Sequence, residues 1–335
     1  MKESSYVLIG MPASPYSLKM RALMRYRRLD FIWEMGSPRV GARQIDVKPP
    51  LIPVLRLPED GSYHVDSTPL AHLLEERHPG QRSVLPLDPM LGFLNHLIED
   101  MADEWLTKAM FHYRWAYAEC IDYCGRWLAG DMLAAGAEGD LETLAQGIST
   151  RQIERMPLVG CTPENAPVIE GSYLRLIAIL ERHLAAQRYL FGSRPALADF
   201  ALFGQLQQLA TDPVPAEIMR RQAQRLYDWL RRNDDASGVE GRWADEPAAT
   251  IVELLGLAGE IYFPFLQANA EAFAAGADTM SLEINGQPFS QGTFKYQVRC
   301  YERLRALFEV LDPASQVRLE PLLEPSGCLA YLIEG

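Results

Sequence analysis

The strongest constraint on this chain is a change of rhythm near residue 83. Before it, short apolar runs alternate with helix-spaced segments; after it, strand signals vanish for a long stretch. Tyr6–Gly10 (YVLIG) is a short apolar strand. The segment that follows has Leu18, Leu23, Met24 and the aliphatic stem of Arg21 near one helical face. Phe31–Met35 reads as a second strand. Residues 51–57 and 62–65 read as a hairpin turning at Glu59-Asp60-Gly61. Leu70, Leu73 and Leu74 then take helical spacing until His78-Pro79-Gly80 stops it. The order β-α-β-(α)-β-β-α is that of an α/β unit.

Beyond the linker at 83–89 the pattern is helical. Residues 91–132 read as one or two long helices with an aromatic middle, WLTKAMFHYRWAY, and 141–156 as a further helix. Residues 169–187 are amphipathic, with Leu174, Ile177, Leu180 and Leu184 as the expected buried stripe. A turn at Gly192-Ser193-Arg194-Pro195 feeds an apolar helix over 196–209, and another helix spans 215–232. Residues 251–275 read as helical, with Pro264 expected to kink or break them. Strands at 280–284 and 288–290 flank Asn285-Gly286, a two-residue hairpin signal, and a helix over 296–311 and a short terminal one finish the chain. The expected organisation is an α/β domain over 1–82, an all-α domain over 88–234, and a helical extension with a hairpin over 242–335.

The chain's 335 residues suffice for a sizeable core, and 48% hydrophobic with 23% charged residues is a globular balance. A net charge of −12 argues against a general nucleic-acid or anionic-membrane surface. No signal peptide is read at the polar start, and no uninterrupted apolar run approaches the ~18–20 residues of a membrane span. The five cysteines are odd in number and scattered, which fits reduced core thiols in a cytoplasm. His72, Glu75, Glu76 and His78 lack the spacing of a metal motif, so no metal is expected.

Three short segments carry chemistry. Ser14, at the start of the first helix, reads as a helix cap or as a hydroxyl that donates to an anion such as a thiolate, with Ser17 as a neighbouring substitute. Pro53 opens a strand, and with a cis bond before it the Ile52 backbone would turn outward to pair with an extended peptide. Asp66-Ser67 reads as another helix cap or as a carboxylate–hydroxyl pair for a charged ligand end. The row Asp100, Asp103 and Glu104 reads as a solvated helix face or a contact between subunits. The aromatic run Trp105, Phe111, His112, Tyr113, Trp115 and Tyr117 reads as core or as a pocket lining.

Taken in order, SPYSLKMR, IPVL, VDST and YLFGSRPALADFALFG resemble the catalytic turn, cis-proline strand, acid–serine motif and second-domain signature of the glutathione transferase superfamily. The resemblance spans roughly residues 5–232. It implies a thioredoxin-like domain followed by an all-helical one, glutathione as co-substrate, an apolar electrophile and a homodimer. It also implies Ser14 as the thiol-activating residue, Ile52 and Pro53 beside the cysteinyl backbone, and Asp66 and Ser67 at the γ-glutamyl end. Tyr16, Trp105 and Tyr113 fall where the family lines its electrophile pocket. The sequence departs from the pattern at Ala196, where a capping hydroxyl is usual, and in the extension. Serine in place of cysteine at position 14 implies thiolate stabilisation rather than disulfide exchange. A non-catalytic binding or scaffolding protein, and a glutathione-dependent reductase with a thiol exposed near Ser14, are the competing readings.

Overall fold

The computed structural model describes residues 5–41 and 45–333, so the polar start over residues 1–4 lies outside the described residues. β1 (Tyr6–Gly10) leads through α1 (Pro15–Tyr26) to β2 (Phe31–Met35), which pairs parallel with β1, Tyr6 opposite Phe31. β3 (Val54–Arg56) pairs antiparallel on the other side of β1, Leu8 opposite Leu55. β4 (Tyr63–Val65) pairs antiparallel with β3, giving the order β2-β1-β3-β4. Both hairpin strands are shorter than predicted, and β3 begins just after Pro53 because a proline offers the ladder no N–H. The bracketed helix does not form among the described residues between β2 and β3, where Pro38, Pro49, Pro50 and Pro53 withhold the donors a helix needs. α2 (Ser67–Arg77) completes a thioredoxin-like domain.

The second domain is all helical. α3 (Pro89–Met101) runs through a π-helical turn, Ala102–Leu106, into α4 (Thr107–Ala116). α5 (Ala118–Ala134) packs on α6 (Leu141–Arg155), and α7 (Ala166–Ala186) follows. The stripe on α7 is rotated from the one predicted. Leu174 is exposed, whereas Tyr173 and Leu176 join Ile177 and Leu180 in the core, with the Tyr173 ring 5.2 Å from that of Tyr113. α8 (Leu197–Leu209) is buried on nearly every side. Gly204 lies against α1 so closely that a Cβ there would stand 2.4 Å from the Pro15 carbonyl oxygen, which fixes the helix that begins at Ser14. Despite Ala196, the start of α8 is secured by Asp199, whose carboxylate accepts from the N–H groups of Ala196 (2.9 Å) and Leu190 (3.0 Å). The single helix predicted at 215–232 is two, α9 (Pro213–Gln222) and α10 (Gln224–Asn233), separated at Ala223, which leaves helical backbone geometry (φ −145°, ψ 60°).

The C-terminal segment adds α11 (Ala249–Leu257), a second π-helical turn (Ala258–Tyr262) and α12 (Phe263–Ala274). Pro264 causes no break: the helical backbone runs on through the π turn into α12, with Tyr262 and Phe263 both in the right-handed helical region. The continuous stretch Ala249–Ala274 is, among the described residues, one helix long and apolar enough to cross a membrane by length and composition. Of its most apolar window, 61% is buried inside the protein. β5 (Thr279–Ile284) and β6 (Gln287–Gly292) form the predicted hairpin, with Asn285 and Gly286 both at positive φ (51° and 73°) as its tight turn requires. α13 (Lys295–Glu309) is followed by α14 (Pro313–Leu323) and α15 (Leu329–Ile333), two short helices where one was expected. The core is shared across these parts: Trp105 meets Phe265 and Phe289 of the extension at ring distances of 5.3 and 5.5 Å.

Candidate functional site

Ser14 occupies the N-cap of α1, and its Oγ accepts the Ser17 N–H at 3.2 Å. That bond uses a lone pair, so the hydroxyl proton stays available, and no described residue accepts it. The two sequence readings of Ser14, cap and donor, are therefore compatible in one geometry. Ser17 is no substitute: it is fully buried and faced by Gly10. The turn before Ser14 is tied to the helical domain. Arg114 donates to the Ala13 carbonyl (3.3 Å) and Gln208 to that of Pro12 (2.8 Å), while Arg114 is itself held by Asp212 (2.8 Å). All three side chains are buried. Sequence spacing gives no hint of this support, since its members lie about a hundred residues or more from the turn.

Two clefts meet at Ile52. The first, a cavity of about 440 Å³, is lined by Met11, Ala13, Ser14, Ile52 and one face of the α5–α6 pair, with Leu128, Met132, Leu144 and Ile148. It is mostly apolar, and Arg151 is the one charged residue among those lining it. Gly147 leaves open space where a side chain would fill it. The second, about 240 Å³, runs from Ile52 past Asp66 and Ser67 to Asp100, Asp103 and Glu104, with Tyr16 and Tyr296 on its walls. The Ile52–Pro53 peptide bond is cis. Asp66 sits at the α2 N-cap with φ 76° but makes no side-chain cap hydrogen bond, and its carboxylate faces the cleft, its pKa raised by burial.

Beneath the second cleft lies a buried ionic cluster. Lys19, fully buried, donates to Glu99 (2.5 Å), Asp103 (2.6 Å) and Thr68 (3.3 Å), and Thr68 donates to Glu99. Burial alone would lower the Lys19 pKa, but Asp103 and Glu99 more than offset it and keep the ammonium charged. One ammonium does not sustain a whole row of carboxylates. Lys19 holds Glu99 below its ordinary value against the cost of burial, whereas burial and neighbouring negative charge raise Asp100 to about 6, Asp103 to about 7 and Glu104 to about 8. The solvated face predicted for Asp100, Asp103 and Glu104 is thus a partly desolvated one. What buries it is Lys19 from α1 and Tyr262 from the extension, whose hydroxyl donates to Asp100 at 2.6 Å.

The raised values set a pH dependence. Native carboxyls that keep protons the unfolded chain has lost favour the fold at low pH. This contribution is present below about pH 4 and lost as pH rises through about 6, 7 and 8. Glu104→Gln is therefore expected to raise Tm by about 3 °C over wild type at about pH 9 and to leave it nearly unchanged at about pH 5. Calorimetry at both pH values checks this, and identical melting at the higher one would show that Glu104 is fully solvated.

Of the remaining predicted site residues, Tyr16 lines the acidic cleft rather than the apolar one, its hydroxyl donating to the Asp103 carbonyl at 3.0 Å. Trp105 and Tyr113 line neither. Trp105 is buried with its indole N–H on Ser172 Oγ (3.0 Å), and Tyr113 is buried between Tyr117 and Tyr173. The apolar wall comes instead from α5 and α6. The signal for it was present as Leu128 with Met132 and Leu144 with Ile148, two i,i+4 pairs. All five cysteines are buried and free, and none lines either cleft, which removes the thiol that a reductase reading needs near Ser14. His72 stacks on His96, Glu75 pairs with Arg27 and His78 contacts Tyr6, and no metal-ligand group gathers among the described residues.

A thioredoxin-like sheet, a proline-opened β3 and an all-helical second half define the glutathione S-transferase fold. Residues 8–82 match the glutathione S-transferase N-terminal domain and residues 152–232 the C-terminal domain. The two matched segments, which together span just under half of the chain, each resemble the corresponding domain of that family. The chain is similar to the β-etherase LigF from Sphingobium sp. strain SYK-6, at 20% identity and a TM-score of 0.50 over 68% of this chain and 94% of that one. It is also similar to a glutathione S-transferase from Methylobacterium radiotolerans, solved with glutathione sulfonate, at 22% identity and a TM-score of 0.43 over 73% and 98% of the two chains. At such identities the likeness is one of fold. No curated protein sequence matches the chain. The whole of the extension, from residue 242 on, lies beyond both matched segments.

Proposed function

We propose that this protein is a glutathione-dependent enzyme in which Ser14 stabilises the glutathione thiolate for attack on an apolar electrophile. The observation that carries the reading is the meeting of the two clefts at Ile52. One offers carboxylates and the start of α2 to a zwitterionic γ-glutamyl end; the other offers Ser14 and an apolar wall to a sulfur and its target. A tripeptide laid along the Ile52 backbone would span both. Ser14, at the positive end of α1, donates a hydrogen bond to the sulfur, so the thiol gives up its proton to solvent more readily and the thiolate is favoured. The thiolate then forms an S–C bond, and the leaving group departs with the bonding electron pair. Arg151 gives the apolar cavity one cationic point, suited to an electrophile with an anionic substituent.

The test is a calorimetric titration with glutathione, followed by a pH titration of the bound thiol. Binding at about millimolar Kd or tighter is expected, with the bound thiol ionising well below the pH at which the free thiol does. Absence of binding at millimolar glutathione overturns the reading and leaves a non-catalytic member of the fold.

A further inference from the structure

We propose that the extension completes the acidic cleft from within the same chain, and that Tyr296 is the wall residue which recognises the ammonium end of a γ-glutamyl thiol peptide. The inference rests on the glutathione reading above and adds to it a residue from outside both matched family segments.

Tyr296 stands in the first turn of α13 and lines the cleft with Asp66, Ser67, Asp100, Asp103 and Glu104. Tyr296 is 48% exposed, whereas Gln297, Cys300, Tyr301 and Leu304 of the same helix are buried, so it forms a surface of the cleft and α13 is anchored behind it. The residue that leads into α13 is clamped. The fully buried Asn269 donates to the Phe294 carbonyl (2.9 Å) and accepts from the Phe294 N–H (2.8 Å). A second tie, from Tyr262 to Asp100, holds the extension against the carboxylate row itself.

The opposite wall carries Asp66, whose side chain makes no cap hydrogen bond at the start of α2, and Asp103, whose Oδ2 is taken by the Lys19 ammonium. The Tyr296 ring and the Asp66 carboxylate, on the walls of one cleft, together make a site for a primary ammonium, held by a charge-assisted hydrogen bond and by the ring. Glutathione carries such a group at its γ-glutamyl end, and an N-acylated peptide does not.

The decisive measurement is the Kd of glutathione and of N-acetylglutathione for wild type, Tyr296→Ala and Tyr296→Phe, with thermal melting to confirm that each variant is folded. Tyr296→Ala is expected to weaken glutathione binding about fivefold to tenfold and N-acetylglutathione binding hardly at all. Tyr296→Phe, which keeps the ring, should stay within about twofold of wild type for both. The inference is overturned if wild type binds glutathione and Tyr296→Ala binds it equally well, or if both ligands lose the same factor. Failure of wild type to bind glutathione at all overturns the underlying reading as well, so the two failures are distinct.

Discussion

Replacing Lys19 with methionine is expected to destabilise the protein by about 3–5 kcal/mol, read as a shift in the denaturant midpoint. Methionine fills much of the same volume, so the loss is mainly electrostatic. Lys19 is fully buried and is the shared donor to Glu99 and Asp103, whose side chains are 4% and 10% exposed. Without it two carboxylates face each other with no counter-charge. Burying an unpaired charge costs more than the intact pair returns, so the deletion is far more damaging than the pair is stabilising. Adding Glu99→Gln and Asp103→Asn to Lys19→Met should recover most of the loss. A penalty below about 1 kcal/mol for the single variant would show that the carboxylates simply take up protons in the native state. The same variant bears on the site, because Lys19 also supports Thr68 in the first turn of α2, beside Ser67.

Ser14→Ala has the largest expected effect on turnover. Removing one donor aimed at developing or stabilised negative charge lowers kcat by about 10²-fold in comparable sites. The bound thiol should then ionise at a higher pH, with the KM for the electrophile little changed. The variant also loses the cap on α1, at about 1 kcal/mol of stability, so melting alone does not distinguish the two roles. Ser14→Asp separates them: the carboxylate still caps Ser17 but repels a thiolate. Folding near wild type with lost turnover is expected of it. Ser14→Ala with turnover intact would reduce Ser14 to a cap.

How much of this was legible in the sequence followed from the range of each signal. The strand–turn–helix pieces at Ser14, Pro53 and Asp66 are encoded by neighbours: a capping hydroxyl before a proline, a proline at a strand start, an acid–serine pair at a helix start. Asn285-Gly286 fixed its hairpin in the same way. What was not legible depended on partners remote in the chain. Asp100, Asp103 and Glu104 have the i, i+3, i+4 spacing of a solvated face, and only Lys19, Tyr262 and Tyr296 make them a cleft wall. Hydrophobic spacing likewise does not tell a buried stripe from an uncovered one. Trp105 and Tyr113, which could be read as core or as lining, are core, while Leu128 and Ile148, singled out as neither, line the cavity.

The tie between the Pro12–Ala13 turn and the Arg114–Asp212–Gln208 group is one of two seams that hold the sheet domain against the helical one. On one side of the sheet domain that group stitches the turn to the helical domain; on the other Lys19 does the same through Glu99 and Asp103. Opening the molecule like a clamshell would tear both seams and strand buried charge on each face. The way to the proposed sulfur position is therefore left to the α5–α6 pair. There Ala145 and Ser149, the buried residues of α6, lie hard against Gly125 of α5, where a Cβ would stand 2.4 Å from the Ser149 Oγ, so the two helices form one packed wall beside Ser14.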